Sequence, residues 1–240
     1  MFAMMVFPIG GPTPPEETSR NYQRLADQHG FTVELHVPQL PFMAREVGVG
    51  LCVSIRQPLL EGIRALGIFF EEAEQQGLTE PRLLLRHPSP RSAQIADVLE
   101  SSITGWEVPL PGAGTSNILV ARGLANIQLS PADSCLRATL SFHRGGHGDE
   151  SRIDAWRGYR ELAPTVGFQV VIAHPVERVH RSLLAVWLSI KQPLHQSTKV
   201  MANLIEEANG RGLDEPQIVI RYPCPDPDEM ARPAWEEVAR

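Results

Sequence analysis

The 240-residue chain contains no apolar run approaching the roughly 18–20 residues a membrane-spanning helix needs, so none is expected. Cysteine is scarce. Cys52 lies in one apolar run, Cys135 opens another, and Cys224 sits in a Pro-rich stretch. An odd, scattered set of three is no disulfide framework and points to thiols kept reduced in a cytoplasm. Lys and Arg form no cluster longer than two, and the net charge is −6. A nucleic-acid binder normally presents a basic face, so nucleic acid is excluded as the direct partner, and a basic partner fits more easily. No Gly-x-Ser-x-Gly elbow, His-Glu-x-x-His or Cys-x-x-Cys is present, and neither is a phosphate loop or dinucleotide fingerprint. The apolar N-terminus Met1–Phe7 has no basic residue before it and no small-residue cleavage site after it, so it reads as a strand and not as a leader. A composition 42% hydrophobic and 21% charged is that of an ordinary globular protein.

What is present is a repeat. Ser54-Ile55-Arg56-Gln57-Pro58-Leu59 returns 135 residues later as Ser189-Ile190-Lys191-Gln192-Pro193-Leu194. At the same offset Gly77-Leu78-Thr79-Glu80-Pro81 returns as Gly212-Leu213-Asp214-Glu215-Pro216. Leu85-Arg86-His87-Pro88 likewise returns as Ile220-Arg221-Tyr222-Pro223. Three matches at one offset mark an internal duplication.

Each copy carries the same succession of signals. Phe2–Phe7 is an apolar strand. Thr13 is a plausible N-cap for a Pro-started helix carrying Glu16 and Glu17 in its positive first turn, with Gly30 ending it. Tyr159, Leu162 and Ala163 repeat the apolar face of Tyr22, Leu25 and Ala26, now at an offset of 137, and Gly167 is the second stop. Strands are expected at 31–37 and 168–173, the first followed by a loop rich in proline (Pro38, Pro41), and again at 47–56 and 183–191. Gln-Pro then breaks the strand. Leu59, Ile63, Leu66, Phe69, Phe70 and Ala73 fall at helical spacing, with Gly77 and Gly212 as C-caps and strands at 82–87 and 217–222 to close each copy. Strand–helix–strand–strand–helix–strand is the ferredoxin-like order. The expected fold is α+β, a tandem duplication of a ferredoxin-like βαββαβ unit. It comprises two four-stranded antiparallel sheets related by a pseudo-twofold axis, with helices on one face of each sheet and the other face left bare. The domains are 1–104, a connector 105–134, and 135–240. Short helices are expected at 92–102 and 228–239.

Several clusters invite a chemical reading. His143-Arg144-Gly145-Gly146-His147-Gly148-Asp149-Glu150 puts two imidazoles and two carboxylates within eight residues, a weak metal-site candidate at His143 and His147. The alternative is a Gly-rich loop with Asp149 as helix cap, favoured because the first copy has Phe7-Pro8-Ile9-Gly10-Gly11-Pro12 there. The paired glycines lack phosphate-loop spacing and read as turn residues. Glu71-Glu72 and Glu206-Glu207 match in position and could act as acid and base. More plainly, they pair with Arg86 and Arg221 to fix helix to strand. Cys52, between Leu51 and Val53, reads as a small buried apolar residue and not as a nucleophile. Trp187 reads as core, and Trp106 in the unduplicated connector as an interface anchor.

These readings lead to a non-catalytic, cytoplasmic, bacterial protein-binding module. The expectation is an immunity protein that neutralises a toxin, a basic toxin domain being the partner its charge fits. The partner-binding residues are expected to be Trp106, Asp149, Glu150, Asp226, Asp228 and Glu229. No cofactor, nucleic acid or membrane is expected, and the chain is expected to be a monomer or homodimer. The alternative is a small-molecule enzyme or a haem- or metal-binding protein of the tandem α+β-barrel type. In that case His143, His147, His174 and His195 would be the ligand candidates.

Overall fold

The computed structural model describes residues 1–8, 13–42, 46–88, 135–143, 149–172 and 183–224. The expected connector 105–134 and the short helices at 92–102 and 228–239 lie outside the described residues. Those residues form an α+β structure with eight strands of antiparallel sheet and four helices. Contacts divide the chain into two compact units. One holds residues 1–56 and 72–128, the other 57–71 and 129–240.

The first half contains β1 (Phe2–Pro8), α1 (Pro15–Gln28), β2 (Thr32–Phe42), β3 (Glu46–Ser54), α2 (Leu59–Gln75) and β4 (Arg82–His87). β1 lies between β3 and β4, with β2 outside β3. The second half contains β5 (Cys135–His143), α3 (Asp149–Val166), β6 (Gln169–Ile172), β7 (Leu183–Ile190), α4 (Leu194–Gly210) and β8 (Gln217–Cys224). β5 lies between β7 and β8, with β6 outside β7.

The registers repeat as well as the order. Met5 stands opposite Leu51 and Leu83, and its counterpart Leu140 stands opposite Val186 and Ile218. Val33 pairs with Val53, and Val170 with Leu188. The two-residue difference in the first connection is therefore absorbed before the second strand begins. The same register shift follows each pair, between Val33 and Leu35 and between Val170 and Ile172. Register in a half-buried strand is set by which side chains must face the core, and that pattern is what the two copies share.

All four helices end in one motif. The N–H groups of Phe31, Leu78, Phe168 and Leu213 donate to the carbonyls of Ala26, Ala73, Ala163 and Ala208. The glycine before each donor, Gly30, Gly77, Gly167 and Gly212, has positive φ. This is the Schellman ending, in which a left-handed glycine turns the chain out of the helix and places an apolar residue back over it. The starts are less regular. Pro14, not Thr13, is the N-cap of α1, and no side chain caps it. Asp149 is the first residue of α3. In α2 and α4 the first helical bonds close on Pro58 and Pro193, through the N–H groups of Gly62 and Ser197.

Other expectations are corrected. β2 runs through Pro38 and Pro41, where a Pro-rich loop was expected. It lies outside β3 in its half, with a register shift between Val37 and Leu40. Proline is tolerated on such a strand because its missing N–H costs no ladder bond on the open side. Met1 and Phe2–Phe7 of β1 are all buried, on both alternating sides. β5 does alternate, burying Leu136, Ala138, Leu140 and Phe142 while Arg137, Thr139 and Ser141 are half-buried. In both halves the first helix is seated by a matching ring pair, Phe7 on Tyr22 at 4.9 Å and Phe142 on Tyr159 at 5.6 Å.

The paired glutamates do not fix helix to strand. Glu71 is held by Lys199 at 2.8 Å and Glu206 by Arg64 at 2.7 Å. Glu72 meets His29 at 2.9 Å. Residues 57–71 belong to the second unit, where α2 and α4 approach closely. A Cβ placed on Gly67 would rest at 3.4 Å from Thr198 Oγ1 and Lys199 Cγ. Long side chains of opposite charge reach across that seam more readily than to a strand beneath their own helix.

Candidate functional site

The second unit gathers charge at one rim. The Schellman turn after α4 sends Leu213 over α3, where Gly158 leaves room for it, since a Cβ at Gly158 would collide with the Leu213 side chain. That seating brings the 213–216 connection beside the first turns of α3. Ser151 Oγ donates to Asp214 Oδ2 at 2.6 Å. Asp214 and Glu215 then line a shallow depression with Arg152, Ser141, Phe142 and Gln217. Glu150 and Asp154 are exposed in the first turns of the same helix, and Asp214 and Glu215 are exposed as well. Carboxylates at a helix start are stabilised by the unpaired N–H groups there, so the rim is compatible with the helix that carries it.

Beneath the 213–216 connection lies Tyr159, 0% exposed, with a hydroxyl that has no hydrogen-bond partner among the described residues. Burial, and then the negative charge of Glu215, push this phenol above its ordinary range, so it stays protonated. The equivalent hydroxyl in the first half, on Tyr22, donates to the Thr79 carbonyl at 3.2 Å. In the first half Glu17 and Glu80 stand where Asp154 and Glu215 do, but Glu150 and Asp214 have no acidic counterpart. Thr79 stands where Asp214 does, and Pro12, Thr13 and Pro14 stand where Asp149, Glu150 and Ser151 do. The corresponding face of α1 carries Glu17, Arg20, Arg24 and Asp27 around one shallow depression, and α3 likewise carries Arg152 and an Asp154–Arg157 pair at 3.6 Å.

Of the residues expected to bind a partner, Glu150 is exposed in the first turn of α3, next in sequence to Ser151, and Asp149 begins that helix. Trp106, Asp226, Asp228 and Glu229 lie outside the described residues. Asp214 and Glu215 were missed because they sit inside a stretch that repeats almost unchanged, which reads as scaffold. The signal was the exchange of Thr79 for Asp214 within that stretch.

Other candidates fall into structural roles. Cys52 is 0% exposed in the middle of β3, and burial pushes its thiol up to about 12, so it is held as an unreactive apolar residue. Trp156 donates from its indole N–H to the Ala185 carbonyl at 3.0 Å, joining α3 to β7. Trp187, expected in the core, is half-buried on β7. His143 is the last residue of β5 and His195 lies in α4, while His147 and His174 lie outside the described residues. Among the described residues no three His, Cys, Asp or Glu side chains are grouped as a metal would require. Among them, too, no helix is long and apolar enough to cross a membrane. No protein-family model matches the chain, and neither does any curated protein.

Proposed function

We propose that this is a non-catalytic protein-binding module, most specifically a bacterial cytoplasmic immunity protein that neutralises a basic toxin domain by direct contact. The observation that carries the reading is the exposed pair Asp214 and Glu215, tied to the first turn of α3 through Ser151, on a helix that also exposes Glu150. Acidic rims act on encounter, because their field reaches a basic partner before contact and raises the association rate. The net charge of −6 works in the same direction. Asp149 adjoins the rim in sequence, and Trp106, Asp226, Asp228 and Glu229 complete the set of partner-binding residues.

We also infer that the two halves are tandem copies of one ferredoxin-like unit, divided as 1–104, 105–134 and 135–240. Shared strand order, shared register and four matching helix ends support this. So do the reciprocal ion pairs, since Arg64 is equivalent to Lys199 and Glu71 to Glu206. Two carboxylates, Glu150 and Asp214, present in one copy and replaced by threonine in the other are what functional divergence on a duplicated scaffold would leave.

The test is co-expression with the product of the neighbouring gene in a host that this product harms. Protection, with recovery of a complex, is the expected result. Asp214→Lys with Glu215→Lys is expected to slow association about tenfold at low salt and much less at high salt. A host that is unprotected and a partner that does not bind would remove the immunity reading.

A further inference from the structure

Cys135 is the first residue of β5 and Cys224 the last of β8, and they stand directly opposite each other across the antiparallel ladder. Directly opposed residues on such strands have Cα separations of about 4.5 or 5.5 Å. Either value lies inside the roughly 4.4–6.8 Å window that a disulfide needs. The two sulfurs interact already, because Cys135 is one of the groups that raise the Cys224 thiol.

Their surroundings differ from those of the third cysteine. Burial pushes the Cys224 thiol up to about 11, and the guanidinium groups of Arg137 and Arg221 oppose that shift. Those arginines face each other across the same ladder, past an irregularity that follows Cys135. Cationic neighbours favour the thiolate, the form that oxidants attack. Cys52 has Met4 and Leu35 opposite it, with no second thiol in the register. The first half has no counterpart to the pair. Ser89 stands at the position of Cys224.

We propose that Cys135 and Cys224 are a reversible modification site, at which a peroxide joins β5 to β8 through a cross-strand disulfide. One thiolate attacks a peroxide oxygen and becomes a sulfenic acid. The oxygen released leaves as water, carrying the proton that the thiol gave up. The second sulfur then displaces hydroxide from the sulfenic sulfur, forming the S–S bond, and its own proton converts that hydroxide to a second water. Two thiols lose two electrons in all, and the peroxide gains them. Both side chains are buried, so the reaction proceeds slowly, through opening of the strand ends where the cysteines sit. The bond closes a loop of about 90 residues, long enough for the cross-link to restrict the unfolded chain substantially.

The test takes the full-length reduced protein, treats it with hydrogen peroxide at neutral pH, and then alkylates it in denaturant. Accessible thiols are expected to fall from three to one per chain. The intact mass should drop by two hydrogens, and dithiothreitol should restore all three thiols. Peptide mapping should join Cys135 to Cys224. Cys52→Ser should still lose two thiols, while Cys135→Ser and Cys224→Ser should keep both of theirs. Should either serine variant fail to fold, the map of the wild-type protein decides. A bond to Cys52, a bond between chains, or added oxygen on thiols that stay unlinked would each overturn the proposal.

Discussion

Tyr22 and Tyr159 are one position in two copies, and they show how a single side chain can be spent in two ways. Each is fully buried against the first strand of its half. Tyr22 donates its hydroxyl to Thr79, whereas the hydroxyl of Tyr159 has no partner among the described residues. A buried hydroxyl with a partner is worth about 1 kcal/mol, and one without a partner costs a comparable amount. Tyr22→Phe is therefore expected to destabilise the protein by about 1 kcal/mol, and Tyr159→Phe to leave stability unchanged or raise it by about 1 kcal/mol. Urea denaturation of the two variants checks the difference in sign. An equal loss at both positions would mean that the Tyr159 hydroxyl is bonded in solution. Conservation of the tyrosine was legible in the sequence. The loss of its bond was not, because that depends on where the 213–216 connection lies.

The α2–α4 seam is the element whose role changes most between sequence and structure. Helical spacing in both segments was plain, and so was the matching of Glu71 with Glu206. Their partners were not, because a charged residue on a helix can reach several neighbours and only packing selects among them. The two ion pairs are each well exposed, with the four side chains between 38% and 57% accessible, so solvent screens them and each contributes little. Glu71→Lys is expected to lower stability slightly, since it removes a solvent-screened attraction and sets two cations together. Adding Lys199→Glu should restore most of that loss. A double-mutant cycle in urea measures the coupling, and two strictly additive changes would show that the pair contributes nothing.

At the scale of the whole molecule, the division into compact units does not follow the repeat. Residues 57–71 are sequence from the first copy and structure of the second unit. A fragment limited to 135–224 would thus lose the segment that pairs with α4. Such a fragment still carries a basic residue at 199 and an acidic one at 206, the same combination as Arg64 and Glu71. Two fragments can supply each other with the missing contacts through a closed twofold interface, Lys199 to Glu206 in both directions. The isolated repeat is expected to be a concentration-dependent dimer by light scattering, weakened by Glu206→Lys. A well-folded monomer at all concentrations would refute this account of the seam.

The sequence by itself determined what short-range patterns can specify. Four glycines placed four helix ends. Period-two and helical spacing placed the strands and helices, and three matches at an offset of 135 marked the second half as a repeat of the first in sequence. Proline was misread in β2 because its effect depends on whether the strand's hydrogen-bonding edge is occupied, which the residue itself does not say. Tertiary structure alone decided which unit holds residues 57–71 and what Glu71 and Glu206 bind. It also decided that Ser151 meets Asp214, and that Cys135 faces Cys224. Each of these is a meeting between side chains far apart in the chain. Local propensity carries no information about such a meeting, because the energy that fixes it comes from packing the whole unit.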